Sequence, residues 1–314
     1  MWDVAALGRK KMVRVRFAAL AVLLAAVTLA ACARGAGDAS KPTVRIGSTN
    51  FPEQVILAEL YGQVLEANGY RIERKLNLGN REIVAPALES GQIDMYPEYL
   101  ATYLTFVSKD PSLASSDPAA TQKALQQALQ SKNITVLDYA PAVDTNGIVV
   151  TSNFSTENNV LRVSDLVRFN DRFVLGGPPE CPTRPFCLIG LQDAYGLRFK
   201  DFKALDAGGP LTVTALETGQ IDVAVLFTTD ANIQTKNFFL LDDDKKLQLA
   251  DNVAPVIRND LVSKAPPELK SLINGVTTKV TTRDLTDMNR QVGVDRKDAK
   301  DVATAWLKTQ KFIQ

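Results

Sequence analysis

The sequence predicts an α/β protein built from two similar lobes facing each other across a cleft. Three observations carry this. From Thr43 to Tyr96, β-rich runs alternate with helical spacings as strand-helix-strand-helix-strand, the pattern of a largely parallel sheet. The stretch Ala87-Leu88-Glu89-Ser90-Gly91-Gln92-Ile93-Asp94 recurs as Ala215-Leu216-Glu217-Thr218-Gly219-Gln220-Ile221-Asp222, with Ser90 for Thr218 the one exchange. Two further apolar runs, Asp144–Val150 and Val253–Ile257, read as strands crossing between the lobes, one leaving and one returning.

The elements follow in order. Thr43 to Gly47 is a short strand. Asn50 reads as an N-cap, with Pro52 and Glu53 in the first turn and Val55, Ile56, Leu60, Val64 and Leu65 at helical spacing. Asn68-Gly69 ends that helix, and Tyr70 to Leu78 is the next strand. A second helix runs from Arg81 to Ser90 and stops at Gly91, and Ile93 to Tyr96 is a third strand. In both copies of the repeat a helix ends, glycine takes the left-handed cap, and a buried strand begins with Ile-Asp. Asp94 and Asp222 then serve backbone capping.

Each strand runs into a helix start, Tyr96-Pro97-Glu98 in one copy and Thr228-Thr229-Asp230 in the other. Strand C-termini and helix N-termini gather on one sheet edge, where α/β proteins bind ligands. The C-terminal third is helical: Pro266 to about Thr278, a helix capped at Thr282, and Lys297 to Lys308 with Val302, Ala305 and Trp306 on one face. Residues 43–146 with 253–314 form lobe one, and 147–252 form lobe two.

Composition narrows the function. Among 314 residues, 36 are Lys or Arg and 35 Asp or Glu, so no basic excess points to nucleic acid. Histidine is absent, which excludes His-ligated zinc, Ser-His-Asp triads and Cys-His pairs. Three cysteines are too few for a four-Cys metal site. No catalytic constellation converges, so neither enzyme activity nor cofactor nor metal is expected.

The N-terminus reads as a targeting segment. Arg9, Lys10, Lys11, Arg14 and Arg16 form a basic region, and Phe17 to Ala31 is apolar, short for a spanning helix. It ends Leu29-Ala30-Ala31-Cys32, which resembles the bacterial lipobox, in which the cysteine becomes a lipidated N-terminus. Residues 1–31 are thus the expected signal peptide and 32–42 the lipidated Cys32 with its tether. The chain is expected to be exported and lipid-anchored to the outer face of the bacterial cell membrane. In that oxidising setting Cys181 and Cys187 are expected as a disulfide, with Arg184 at the centre of its loop.

Taken together, these residues resemble a known family, the substrate-binding lipoproteins of osmoprotectant (glycine betaine/carnitine/choline/proline) ABC transporters. The carrying stretches are Gly47-Ser48-Thr49-Asn50-Phe51-Pro52-Glu53-Gln54, Gly91 to Tyr99 with its Tyr-Pro-Glu-Tyr, Ser164-Asp165-Leu166, Ala194 to Phe199, Gly219 to Asp222 with Thr229-Asp230, and Leu241 to Lys245. The resemblance spans nearly all of the chain after the tether. It implies a two-lobed periplasmic-binding-protein fold (type II) with a two-strand hinge, which closes on its ligand like a clam shell without chemistry. It also implies a small-molecule solute, and a permease and ATPase on separate chains, since no Gly-x-x-x-x-Gly-Lys loop is present. A monomer is expected.

The family's site is a box of aromatic rings around a quaternary ammonium, with polar groups for a carboxylate. Matched by position, Tyr96 and Tyr99 are alternatives of which one faces the cleft. Asp144 is the acid at the first crossing. Phe227 is either a box ring or core. Arg184 is either the carboxylate-binding arginine or a surface loop residue. Asn50 lies in the first matching stretch. Asn146 and Asp251 stand where the family carries rings, so the box is expected to be depleted. The expected cargo is a compatible solute of the glycine betaine/choline/carnitine class. The alternative is a neutral hydroxylated or phenolic solute.

Overall fold

The computed structural model describes residues 40–314. The expected signal segment, Cys32 and most of the tether lie outside the described residues. The strands are β1 (Val44–Gly47), β2 (Ile72–Lys75), β3 (Met95–Tyr99), β4 (Ile134–Val136), β5 (Asn146–Thr151), β6 (Val174–Gly177), β7 (Asp201–Ala204), β8 (Val223–Phe227), β9 (Phe238–Leu240) and β10 (Val253–Arg258). They form two five-stranded sheets, ordered β2-β1-β3-β10-β4 and β7-β6-β8-β5-β9.

The two sheets share one plan. In the first, β1 pairs in parallel with β2 and β3, and β10 runs antiparallel between β3 and β4. In the second, β6 pairs in parallel with β7 and β8, and β5 runs antiparallel between β8 and β9. Each antiparallel strand is one that arrives from the other lobe. Four of the five strands in each sheet therefore run the same way, as the expectation of largely parallel sheets requires.

The repeat builds the same corner twice. Gly91 and Gly219 adopt φ of 75° and 69°. Gln92 and Gln220 each donate their N–H to the carbonyl five residues back, Ala87 and Ala215, both at 2.8 Å. The N–H of Asp94 donates to the Arg45 carbonyl, and that of Asp222 to Val174. Each aspartate returns the bond through its carboxylate, to the N–H of Arg45 and of Val174, both at 2.8 Å. Beneath each corner an isoleucine fills the space over a glycine: a Cβ on Gly47 would lie 2.5 Å from Ile93 Cδ1, and one on Gly176 2.5 Å from Ile221 Cδ1.

Several boundaries differ from the sequence reading. The first helix is Pro52–Ala67, with Phe51 rather than Asn50 at the N-cap. β3 continues through Tyr96-Pro97-Glu98-Tyr99, and the next helix starts at Leu100. Pro97 is tolerated inside the strand because it faces Pro255 of β10. Opposed prolines fit a non-hydrogen-bonded pair, where neither strand needs a donor from the other. Thr281, not Thr282, caps the helix Thr282–Gly293, in a capping box with Asp284. In the last helix, Ala299–Thr309, the buried face is Val302, Ala303, Trp306 and Leu307, and Ala305 is exposed.

The helix Pro52–Ala67 is buried along most of its length against sheet one and the C-terminal helices Glu268–Thr277, Thr282–Gly293 and Ala299–Thr309. That packing fixes its first turn, with the buried Glu53, at the edge of sheet one. The crossings touch each other: Val143 bridges Asn252, and the Asp144 N–H donates to the Asp251 carbonyl at 3.1 Å.

Candidate ligand-binding site

The C-terminal edges of the two sheets enclose a cavity of about 470 Å³. Its aromatic part is a row that crosses from lobe to lobe. Phe51, at the start of the first buried helix, lies 4.7 Å from Phe227 at the end of β8 and 6.4 Å from Tyr99 at the end of β3, centroid to centroid. Ring faces carry partial negative charge, so such a row attracts a cation that is cheap to desolvate.

Beside the rings lies an acidic floor. Asp144 Oδ1 accepts from the Thr229 N–H at 3.0 Å and the Thr228 hydroxyl at 3.1 Å. Tyr99 donates its hydroxyl to Glu53 Oε1 at 2.7 Å. Glu53 Oε2 accepts from the Thr229 hydroxyl and from Asn289 Nδ2, both at 2.6 Å. Burial, and then the charge of Glu53, hold Asp144 well above the usual carboxylate range. Burial likewise raises Glu53.

The remaining wall is cationic. Arg81 makes two bonds of 2.7 Å to Glu98 and a third, of 3.0 Å, to the Thr102 hydroxyl. Arg184 comes from the disulfide loop of lobe two. Its Nη2 donates to Glu82 of lobe one at 2.8 Å, its guanidinium lies 5.6 Å from the Phe106 ring centre, and its buried Nε has no partner. Burial, then the neighbouring charge of Arg81, lower its pKa. The Thr49 and Thr105 hydroxyls in the lining of the same cavity are also buried without partners. Buried polar atoms are nearly always satisfied, so three open ones among the residues lining one cavity set this region apart.

The structure brings Asn50, Tyr99, Asp144, Asn146, Arg184, Phe227 and Asp251 together around this cavity. It does not bring Tyr96 there. That ring is fully buried, donates its hydroxyl to Glu98 at 2.7 Å and packs edge-on against Tyr103. Strand alternation explains the choice: Tyr96 and Tyr99 are an odd number of residues apart, so they leave β3 on opposite faces. Asn146 lines the cavity while its amide holds the Phe186 carbonyl at 3.1 Å. Asp251 accepts from the Thr102 N–H at 2.8 Å, and burial pushes its pKa up to about 6.

Cys181 and Cys187 form the expected disulfide. Their loop, with Arg184 at its centre, lines the cavity. Phe186 reaches over to join the lobe-one core around Tyr96 and Tyr103.

Sequence reasoning missed Phe51, Glu53, Arg81 and Phe106. Phe51 and Phe106 restore rings to a box that the exchanges at 146 and 251 had left depleted. Phe51 and Glu53 follow β1 at the sheet's C-terminal edge, and that position was the available signal. Arg81 and Phe106 become wall residues only once their helices are placed.

Comparison with known proteins agrees with this architecture. Residues 42–309 match the family described as the substrate binding domain of the ABC-type glycine betaine transport system. The glycine betaine-binding protein YehZ of Escherichia coli strain K12 is 28% identical over 93% of this chain and 96% of its own length. The carnitine transport binding protein OpuCC of Listeria monocytogenes strain 10403S is 27% identical over 93% of this chain and 95% of its own. The crystal structure of a glycine betaine/carnitine/choline ABC transporter protein superposes with a TM-score of 0.69 at 26% identity, covering 86% of this chain and all of that one. With the family's match spanning both lobes and the cleft between them, the chain belongs to the substrate-binding proteins of ABC-type glycine betaine transport systems.

Proposed function

We propose that the cleft holds a small zwitterion of the glycine betaine and carnitine class, with a quaternary ammonium at one end and a carboxylate at the other. The observation that carries this is the polarity of the cavity. Phe51, Tyr99 and Phe227 stand together, with Asp144 bonded to the Thr228-Thr229 turn that follows Phe227, whereas Arg184, its Nε open, lies over Phe106, the neighbour in sequence of the open Thr105. The ammonium lies against the rings. The carboxylate takes the unpartnered donors, where a charge-assisted bond is worth about 1.5–3 kcal/mol. A neutral hydroxylated or phenolic solute would leave both poles unanswered.

The ligand touches both lobes and so favours the closed arrangement. A permease and an ATPase on separate chains receive the cargo. The chain works as a monomer outside the cytoplasm, anchored through lipid on Cys32 at the outer face of the cell membrane.

The test is calorimetric titration of the purified protein with glycine betaine, carnitine and choline, beside a polyol and a small phenol. Glycine betaine and carnitine are expected to bind. Arg184→Ala lowers their affinity about 10- to 100-fold and barely changes choline, which has no carboxylate. Tyr99→Ala weakens all three about 10-fold. Saturable binding of the polyol or phenol, with no heat from any ammonium ligand, would overturn the assignment.

A further inference from the structure

The floor of the cleft holds two acids where a cation-binding site needs one. Glu53 and Asp144 flank a single residue, Thr229: Glu53 takes its hydroxyl and Asp144 its N–H. Both carboxyl groups are buried, side by side on that one residue. Two buried acids this close, with no cation between them, do not both ionise, so one of them carries a proton.

The donors show which one does. Both oxygens of Glu53 are supplied by protein donors, from Tyr99, Thr229 and Asn289. Asp144 has its two donors on Oδ1, so Oδ2 is the oxygen left to hold hydrogen.

The surroundings give no competing charge balance. β3 brings the phenol of Tyr99, the turn after β8 brings the half-buried acid Asp230, and the helix Thr282–Gly293 brings the neutral Asn289. Asp206 lies beyond Asp230. Among the described residues no lysine or arginine forms an ion pair with Glu53 or Asp144.

We infer that Glu53 is a specificity-determining residue that keeps Asp144 protonated in the empty cleft, so that a quaternary ammonium binds in exchange for a proton. The inference rests on the ammonium reading above. The O–H bond of Asp144 breaks, its electron pair stays on the carboxylate, and the proton leaves to a solvent base. The incoming cation replaces the proton's charge, so the net charge of the filled floor equals that of the empty one. A neutral solute brings no charge to exchange and leaves the proton in place. The device thus selects for permanent cations without burying two bare carboxylates while the cleft is empty.

The experiment is titration with glycine betaine and with carnitine at pH 6 to 8, in phosphate and in Tris, whose different ionisation heats count the protons released. The wild-type protein is expected to release close to one proton per ligand, its affinity rising up to about tenfold per pH unit until the free pair is ionised. In Glu53→Gln the proton release falls well below one and the pH dependence flattens. Asn289→Ala loosens the same contact without removing a carboxyl and keeps the release. A wild-type protein that binds the ammonium with no proton released at any pH overturns the inference. So does Glu53→Gln releasing as many protons as wild type. Absence of ammonium binding altogether overturns instead the assignment of ligand.

Discussion

Asp144 and Asp251 occupy matching places. Each lies on a crossing, two residues before the strand that enters the other sheet, β5 or β10. Each accepts a backbone N–H just past the end of a neighbouring strand, Thr229 after β8 for Asp144 and Thr102 after β3 for Asp251. Each is buried and raised by burial. They differ in their charged neighbours. Asp144 has Glu53 beside it, which pushes it further up, whereas Asp251 is pulled back toward about 6 by the Thr102 N–H bond and then by Arg81. The duplicated scaffold provides two equivalent acids, and one neighbouring charge, Glu53 for the first and Arg81 for the second, sets them apart.

The same contrast runs through the corners of the repeat. At Gly47 a Cβ meets chiefly the flexible end of Ile93. At Gly176 it meets two atoms of Ile221, at 2.5 and 2.9 Å, and Leu205 at 3.0 Å. Gly176→Ala is therefore expected to destabilise by about 2–3 kcal/mol and Gly47→Ala by about 1 kcal/mol, read from urea unfolding. Equal losses would mean that lobe two yields as easily as lobe one.

Asp251 tests the crossing. Its folded pKa, about 6, lies above its ordinary 3.8. Between those values the folded state holds a proton that the unfolded chain has lost, so stability falls as pH rises from about 4 to 6 and stays lower above. Asp251→Asn keeps an oxygen for the Thr102 N–H and removes that fall. It is expected to gain about 3 kcal/mol relative to wild type at pH 7.5 and nearly nothing near pH 3.5, measured by melts across the range. A gain of equal size at both pH values would rule out ionisation as the cause.

The smallest contrast separates the capping aspartates. Asp94 holds the Arg45 N–H and also its guanidinium, at 2.5 and 2.9 Å, whereas Asp222 holds only the Val174 N–H. Asp94→Asn is expected to cost about 1–2 kcal/mol and Asp222→Asn about 0.5 kcal/mol. Their order in a chemical melt decides whether the guanidinium adds anything to the cap.

The repeat was the most legible part of the molecule, because a glycine cap followed by Ile-Asp has few ways to fold. The crossings were legible because apolar runs there broke the strand-helix alternation. The site was harder to read. Tyr99 could not be chosen over Tyr96 without knowing that β3 runs on through Pro97, which depends on Pro255 standing opposite in a strand far along the chain. Glu53 looked like a residue suited to a helix's first turn, and nothing local says that Asp144 and Thr229 will come to it. Phe51 and Phe106 read as ordinary apolar residues until the lobes are set face to face.

Phe186 carries a last consequence. It rides on the disulfide loop of lobe two yet lies in the core of lobe one, pinned by Asn146 and Gln248 through its carbonyl. Parting the lobes drags that ring into water, so opening carries a positive heat-capacity change. Closure then weakens on cooling even when every polar contact with the cargo is unchanged, and the capture of solute becomes a temperature-dependent property of the empty protein.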